Sequence, residues 1–243
     1  MDKIKEIKNL IDENNRIVVF TGAGISVPSG IPDFRSANGL YNQESGLKAT
    51  PEQIISHSFF IKHTKDFYDF YKEKMIYQDA LPNIAHKYFN ELEKMGKNVT
   101  IITQNIDGLH RIAGNNDVLE LHGTIHRNYC MKCHKKFDLN SILMQEGIPH
   151  CFCGGIIKPD VVLYEEELDY GVLYNAIKVI SEASLLIVIG TSLIVQPAAS
   201  LIRYFKGENI ILINKEKTPY DSYAKYAIND DIINVINKLK ACC

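Results

Sequence analysis

The stretch Ile17-Val-Val-Phe20-Thr21-Gly-Ala-Gly-Ile-Ser26-Val-Pro-Ser-Gly30-Ile-Pro-Asp-Phe-Arg35 decides the fold. Its apolar opening reads as a buried strand that stops at Gly22 and Gly24, where backbone without a Cβ can come close to a pyrophosphate. An ordinary dinucleotide fingerprint is glycine, any, glycine, any, any, glycine. Gly22 and Gly24 fit, but Val27 stands in the place of the third glycine. Pro28 and Pro32 then forbid a long regular helix after the turn. The loop is suited to a dinucleotide but is built differently from that of a dehydrogenase.

Four other apolar runs end in the same manner. Val99–Ile102 leads into Gln104-Asn-Ile-Asp107, and Val118–Leu121 into His122-Gly123. Leu185–Ile189 leads into Gly190-Thr-Ser192, and Ile210–Ile213 into Asn214. Apolar runs without polar alternation indicate strands covered on both faces, hence a parallel sheet flanked by helices. Helical patterns fall at 3–14 (Ile4, Ile7, Leu10, Ile11), 82–95, 171–181, 197–205 and from Asp230 onward. Val161–Leu163 reads as a further strand. In such α/β sheets ligands bind beyond the carboxyl ends of the strands. Five polar strand ends in one sheet point to one shared ligand crevice.

Two segments interrupt the alternation and read as a smaller lobe: a helical module at 36–80 and a cysteine module at 125–158. The sheet domain is then 1–35, 81–124 and 159–243. Thr50-Pro-Glu-Gln53 is a capping-box helix start. Phe59, Phe60, His63, Phe67, Phe70, Tyr71 and Met75 follow as an aromatic stripe at helical spacing, read as core of the small lobe. Cys130, Cys133, Cys151 and Cys153 form two chelating pairs. Four thiolates match a tetrahedral structural zinc with no open position for water. The second pair has one intervening residue where two are usual, and Gly154 and Gly155 are placed to relax that turn. His134 and His150 are nearby substitutes.

Composition narrows the classes. The chain has 243 residues, 46% hydrophobic, with a formal net charge of −2. It can bury a sizeable core, and it lacks the basic footprint of a nucleic-acid binder. No apolar run approaches the roughly 20 residues of a membrane helix. The charged N-terminal stretch has no signal-peptide core, so a soluble cytoplasmic protein is the expectation. Thiols there are expected to hold metal and not disulfides. Cys242 and Cys243 read as tail.

Of the polar groups, His122 is the best candidate base, since an imidazole accepts a proton near neutral pH. Asn105 and Asp107 are suited to a ribose or a carboxamide, although an Asx turn would use the same residues.

Together these motifs resemble the sirtuins, the NAD-dependent protein lysine deacylases of the silent information regulator family, in their bacterial-like form. The resemblance runs in motif order from residue 17 to about 232. It implies a Rossmann-type domain, a zinc-and-helix lobe and a cleft between them. In that pattern Gly22, Ala23 and Gly24 meet the pyrophosphate, with Val27 on the same loop, and Phe34 and Arg35 close over the nicotinamide side. Gln104 and Asn105 meet the nicotinamide ribose, while Ile106 and Asp107 line the nicotinamide pocket. Gly190, Thr191 and Ser192 contact phosphate and ribose, Asn214 the adenosine ribose, and Ile232 the adenine end. Val161, Val162 and Leu163, with Leu193, Ile194 and Val195, pair with an extended acetyl-lysine peptide. His122 and Asn105 are the implied catalytic residues. Members that take acidic acyl groups carry Tyr, two residues, then Arg; Tyr71-Lys-Glu-Lys74 is the nearest match, and lysine lacks the fork that suits a carboxylate. Acetyl is therefore the expected acyl group. The rival readings are a nicotinamide dehydrogenase, a non-catalytic NAD sensor or zinc interaction module, and an ADP-ribosyltransferase.

Overall fold

The computed structural model describes residues 3–36, 39–42 and 48–242. The chain opens with helix α1 (Lys3–Glu13) and strand β1 (Arg16–Thr21), then two short 3-10 turns at Ala23–Ile25 and Val27–Ser29. The first insert supplies α2 (Pro51–Ile54), α3 (His57–Lys62) and α4 (Thr64–Lys74). Helix α5 (Ile84–Lys94), β2 (Asn98–Thr103), α6 (Leu109–Ile112) and β3 (Asp117–Glu120) return to the sheet. The second insert contains β4 (Gly123–Cys130), β5 (Lys136–Phe137), α7 (Leu139–Leu143) and β6 (Ile157–Val161). The chain then runs through α8 (Tyr170–Glu182), β7 (Leu185–Ile189), β8 (Ile210–Ile213), β9 (Tyr226–Ile228) and α9 (Ile232–Ala241).

The main sheet is parallel throughout, in the order β3-β2-β1-β7-β8-β9. The order reverses between β1 and β7, which is where a doubly wound sheet opens its crevice. Alternation along β1 feeds two cores. Ile17 and Val19 face a layer built on α1, α5 and α9, with Ile7, Phe89 and Val235. Val18 and Phe20 face the other layer, with Ala176 and Ile180 of α8 and Leu201. Both faces are apolar because both are covered, which explains the unbroken hydrophobic runs.

The register brings the strand ends level. Thr21 pairs with Thr103 on one side and Ile189 on the other, Thr103 with Glu120, and Ile189 with Ile213. The residues that follow each end therefore share one edge of the sheet.

The second sheet is antiparallel, β5-β4-β6. It packs against the helical insert: Phe60, Phe67, Tyr68 and Tyr71 share one cluster with Ile125, Ile142, Ile157, Val161 and Leu163. The Tyr68 hydroxyl donates to the Ile157 carbonyl. Two inserts far apart in sequence thus bury one common core, and neither needs a core of its own.

Some expectations need correction. The aromatic stripe is divided between two helices, α3 and α4, with the break at His63. The capping box at Thr50 and Gln53 forms as expected. Strand β6 ends at Val161, so Val162 and Leu163 lie beyond it. The helix expected at 197–205 forms as a 3-10 helix, Ala198–Tyr204. Strands β4, β5 and β9 are short or two-faced and carried no readable period. Cys242 ends α9 as its C-cap, and Cys243 lies outside the described residues.

Candidate active site

The row of strand ends is held together by hydrogen bonds between loops that are distant in sequence. Gly24 N–H donates to the Gly190 carbonyl at 2.8 Å, and Gly22 N–H to Ile189 O at 3.3 Å. A Cβ on Gly22 would stand 2.7 Å from Thr191 Cβ, and one on Gly24 would stand 2.8 Å from Gly190 O. Gly190 itself sits at φ +65°, and a Cβ there would meet Ile25 N at 2.4 Å. These glycines are needed first to let the β1 and β7 loops interlock. Val27, at the place of the third glycine, is 45% exposed on its short 3-10 turn. No long helix packs there, so no glycine is needed. Ala23 opens the preceding turn.

Gln104 joins three of the strand ends. Its backbone N–H donates to Thr21 O at 3.0 Å, and its side-chain Nε2 donates to Thr191 Oγ1 at 3.0 Å. Its carbonyl lies 2.9 Å from His122 Nδ1. A carbonyl only accepts, so Nδ1 carries the proton and Nε2 holds the lone pair. Burial lowers the His122 pKa, opposed by the bond to Gln104, so the ring is neutral at pH 7.

Asn105 is buried, and its Nδ2 donates to Gly22 O at 3.2 Å and Ser26 Oγ at 3.1 Å. The Ser26 hydroxyl donates in turn to Asp107 Oδ2 at 2.7 Å, while Leu109 N–H donates to Oδ1. Burial raises the Asp107 pKa, and those two donors work against the shift. Ser26 therefore couples Asn105 to Asp107. Nothing local to Ser26 in the sequence announces a partner 81 positions away. Ile106 packs at the edge of the small-lobe core.

The other expected residues are distributed around this centre. Phe34 packs on Tyr41 at 5.4 Å, and the Arg35 guanidinium lies over the same ring at 5.3 Å. The Tyr41 hydroxyl meets that of Tyr164 at 2.6 Å, which ties this loop to the chain after β6. Thr191 is buried and Ser192 half-buried. Asn214 donates from Nδ2 to Glu216 O at 2.8 Å. Ile232 is mostly core, 6% exposed and packed toward Gly190. Val161, Leu163 and Leu193 are buried, Val162 and Val195 half-buried, and Ile194 exposed. Val162 N–H already donates to His122 O and Leu163 N–H to Glu166 Oε2. Leu163 O already accepts Glu166 N–H at 3.0 Å, so a peptide lying beside 162–163 would find the Val162 carbonyl there and not those N–H groups.

The four cysteines form the one candidate metal group among the described residues, with all ligand atoms within 4.8 Å of one another. Two Sγ–Sγ separations are 3.5 Å and 3.6 Å. Tetrahedral zinc with bonds of about 2.3 Å places its sulfurs roughly 3.8 Å apart, so the set fits. Backbone N–H groups of Lys132 and Cys133 point to Cys130 Sγ. The short Cys-Phe-Cys spacing works because Gly154 turns at φ +81°, and because a Cβ on Gly155 would lie 2.6 Å from Cys130 Sγ. His134 and His150 are exposed and outside the group.

Fold and site define a dinucleotide-binding α/β protein with an inserted four-cysteine lobe and a half-buried neutral histidine at the strand ends. The Sir2 family model matches residues 22–197, and the chain belongs to that family. It is 56% identical over 238 residues to an NAD-dependent protein deacetylase of Clostridium acetobutylicum, covering 97% of each chain. It superposes with a TM-score of 0.89, at 38% identity, on a Sir2 variant with deacetylated p53 peptide and 3'-O-acetyl ADP ribose; 98% of this chain and 97% of that one are covered. A Sir2–p53 peptide–NAD+ complex matches at 0.85 and 38% identity, with the same coverage.

Proposed function

We infer that this chain is an NAD-dependent protein lysine deacetylase that uses NAD as co-substrate. The reaction releases nicotinamide and free lysine and yields O-acetyl-ADP-ribose. The observation that carries the reading is the committed Nδ1 of His122: with that proton held by Gln104 O at 2.9 Å, Nε2 is the base. The lowered pKa keeps this base unprotonated at neutral pH. Its proton acceptor role serves a ribose hydroxyl. Asn105, fixed by Gly22 O and Ser26, orients ribose or water. Asp107, half-buried and bonded to Ser26, holds a carboxamide. Glycines 22, 24 and 190, with Ala23, Val27, Thr191 and Ser192, offer loop backbone and hydroxyls to phosphates. Asn214 and Ile232 serve the adenosine end, and Phe34 and Arg35 the nicotinamide side.

The NAD-binding domain is taken as 1–35, 81–124 and 159–243, and the small lobe as 36–80 with 125–158. The acetyl-lysine peptide lies extended between Val161–Leu163 and Leu193–Val195. Acetyl preference is supported by the surroundings of the Tyr71 pattern: Tyr71 is buried in the apolar cluster, and Lys74 pairs with Glu73 at 2.9 Å. One zinc on Cys130, Cys133, Cys151 and Cys153 is structural, since four thiolates leave no open position. No helix among the described residues is long and apolar enough to cross a membrane, and a cytoplasmic location is proposed.

Mass spectrometry of an acetyl-lysine peptide incubated with NAD tests the reading. Deacetylated peptide together with acetyl-ADP-ribose is expected. ADP-ribosylated protein, NADH, or NAD binding without turnover would each favour a rival. His122→Ala is expected to abolish turnover while leaving NAD binding largely intact.

A further inference from the structure

The Gln104–Asp107 turn continues to a histidine that the reaction does not use. His110, on α6, is 2% exposed, and its ring lies 4.8 Å from that of His86 on α5, which is fully buried. Burial lowers both pKa values, and His86 lowers that of His110 further, so both rings are neutral at pH 7. Among the described residues, His110 Nδ1, both ring nitrogens of His86 and Asn115 Oδ1 have no hydrogen-bond partner. Asn115 Nδ2 donates to the carbonyls of both histidines. Each unpaired atom carries the desolvation penalty of its group, which apolar residues here would avoid.

One bond gives this polar pair an outlet. His110 Nε2 lies 3.2 Å from the hydroxyl of Thr21, the last residue of β1. Thr21 is fully buried, and its carbonyl accepts Gln104 N–H at 3.0 Å. The next carbonyl, Gly22 O, accepts Asn105 Nδ2. The Thr21-Gly22 backbone is therefore the abutment for Gln104, which holds His122, and for Asn105. His86 has no such link.

We propose that His110 is a positioning residue: through the Thr21 hydroxyl it fixes the end of β1, and with it the turn that aims Asn105 and His122. This rests on the reading of His122 as the base. It predicts a larger defect in turnover than in NAD affinity, because the phosphate-side contacts between the Gly24 and Gly190 loops do not pass through Thr21 Oγ1.

The test compares His110→Phe, His110→Gln, His86→Phe, Thr21→Val and the double variant His110→Phe/Thr21→Val. Steady-state kinetics on an acetyl-lysine peptide gives kcat and the KM for NAD, and thermal melts monitor folding. His110→Phe and Thr21→Val should each lower kcat roughly tenfold, as expected for small misplacements of catalytic groups, with the KM for NAD changed less than about twofold. The double variant should be no slower than the worse single. His110→Gln, which keeps a polar group near Thr21, should recover most of kcat, and His86→Phe should leave it unchanged. Equal slowing by His86→Phe and His110→Phe, multiplicative effects in the double variant, or no recovery with glutamine would each overturn the proposal. If His110→Phe does not fold, Thr21→Val alone decides: wild-type kcat in that variant overturns it. Wild-type protein and His122→Ala are measured in parallel. An inactive wild type or an active His122→Ala refutes the base assignment, whereas wild-type kcat in both His110→Phe and Thr21→Val refutes only the positioning role.

Discussion

Acidification should unfold this protein partly through His86. Its folded pKa is lowered to about 4 because the ring is buried. In the unfolded chain the value returns to about 6.5. Below that, the unfolded chain takes a proton that the folded chain refuses, so stability is fully present above pH 6.5 and declines as pH falls toward 4. Between pH 7 and pH 5 this one ring removes about 2 kcal/mol, from 1.36 kcal/mol per unit of differential protonation. His110 and His122 are shifted in the same direction and steepen the decline. His86→Phe deletes the His86 contribution while keeping a ring between α5 and α6. The chain has no tryptophan, so urea unfolding is followed by far-UV circular dichroism at both pH values. The variant should lose about 2 kcal/mol less than the wild type across this window. An equal loss in the two proteins would refute the reasoning, since His86 would then be protonated in the folded state.

Three further outcomes are expected. A Cβ added to Gly123, at φ +73°, would lie 1.9 Å from Asp160 O, whereas one added to Gly30, at φ +87°, would meet nothing within 4 Å. Gly123→Ala should therefore lose about 3 kcal/mol or more and Gly30→Ala about 1 kcal/mol in urea unfolding, with strain in both and overpacking only in the first. Metal analysis should find one zinc per chain, and Cys133→Ser or a strong chelator should lower the melting temperature and release it. Lys158 is buried, and its Nζ meets Glu166 Oε2 at 3.0 Å. Glu166→Ala should cost about 3 kcal/mol by leaving that ammonium unpaired, read again by urea unfolding.

Much of the sheet was legible because its signals are local. Each parallel strand except β9 is a mostly apolar run followed by polar or glycine residues, and each major helix has its period and often its cap, as at Asp231 before α9. Less was legible in the small lobe. Strand β5 has two residues, and β4 mixes Thr124 and Ile125 on buried positions with exposed His126 and Arg127, so neither period dominates. The break at His63 left the aromatic spacing intact across two helices. The side-chain partners of Ser26 and Thr21 lie 79 to 89 positions away, beyond the reach of any local signal.

The sequence by itself determined that five strand ends carry polar groups, that Cys130, Cys133, Cys151 and Cys153 can close on a metal, and that His122 is the best-placed candidate base. Those properties depend on residue type and near spacing. Only the tertiary structure decided which nitrogen of His122 bears its proton, because that depends on the carbonyl of Gln104, 18 positions earlier. It also decided why Gly22 and Gly24 are glycines: the Gly190-Thr191 loop occupies the space a Cβ would need. Such contacts arise from strand order and register, and strand order has no period along the chain.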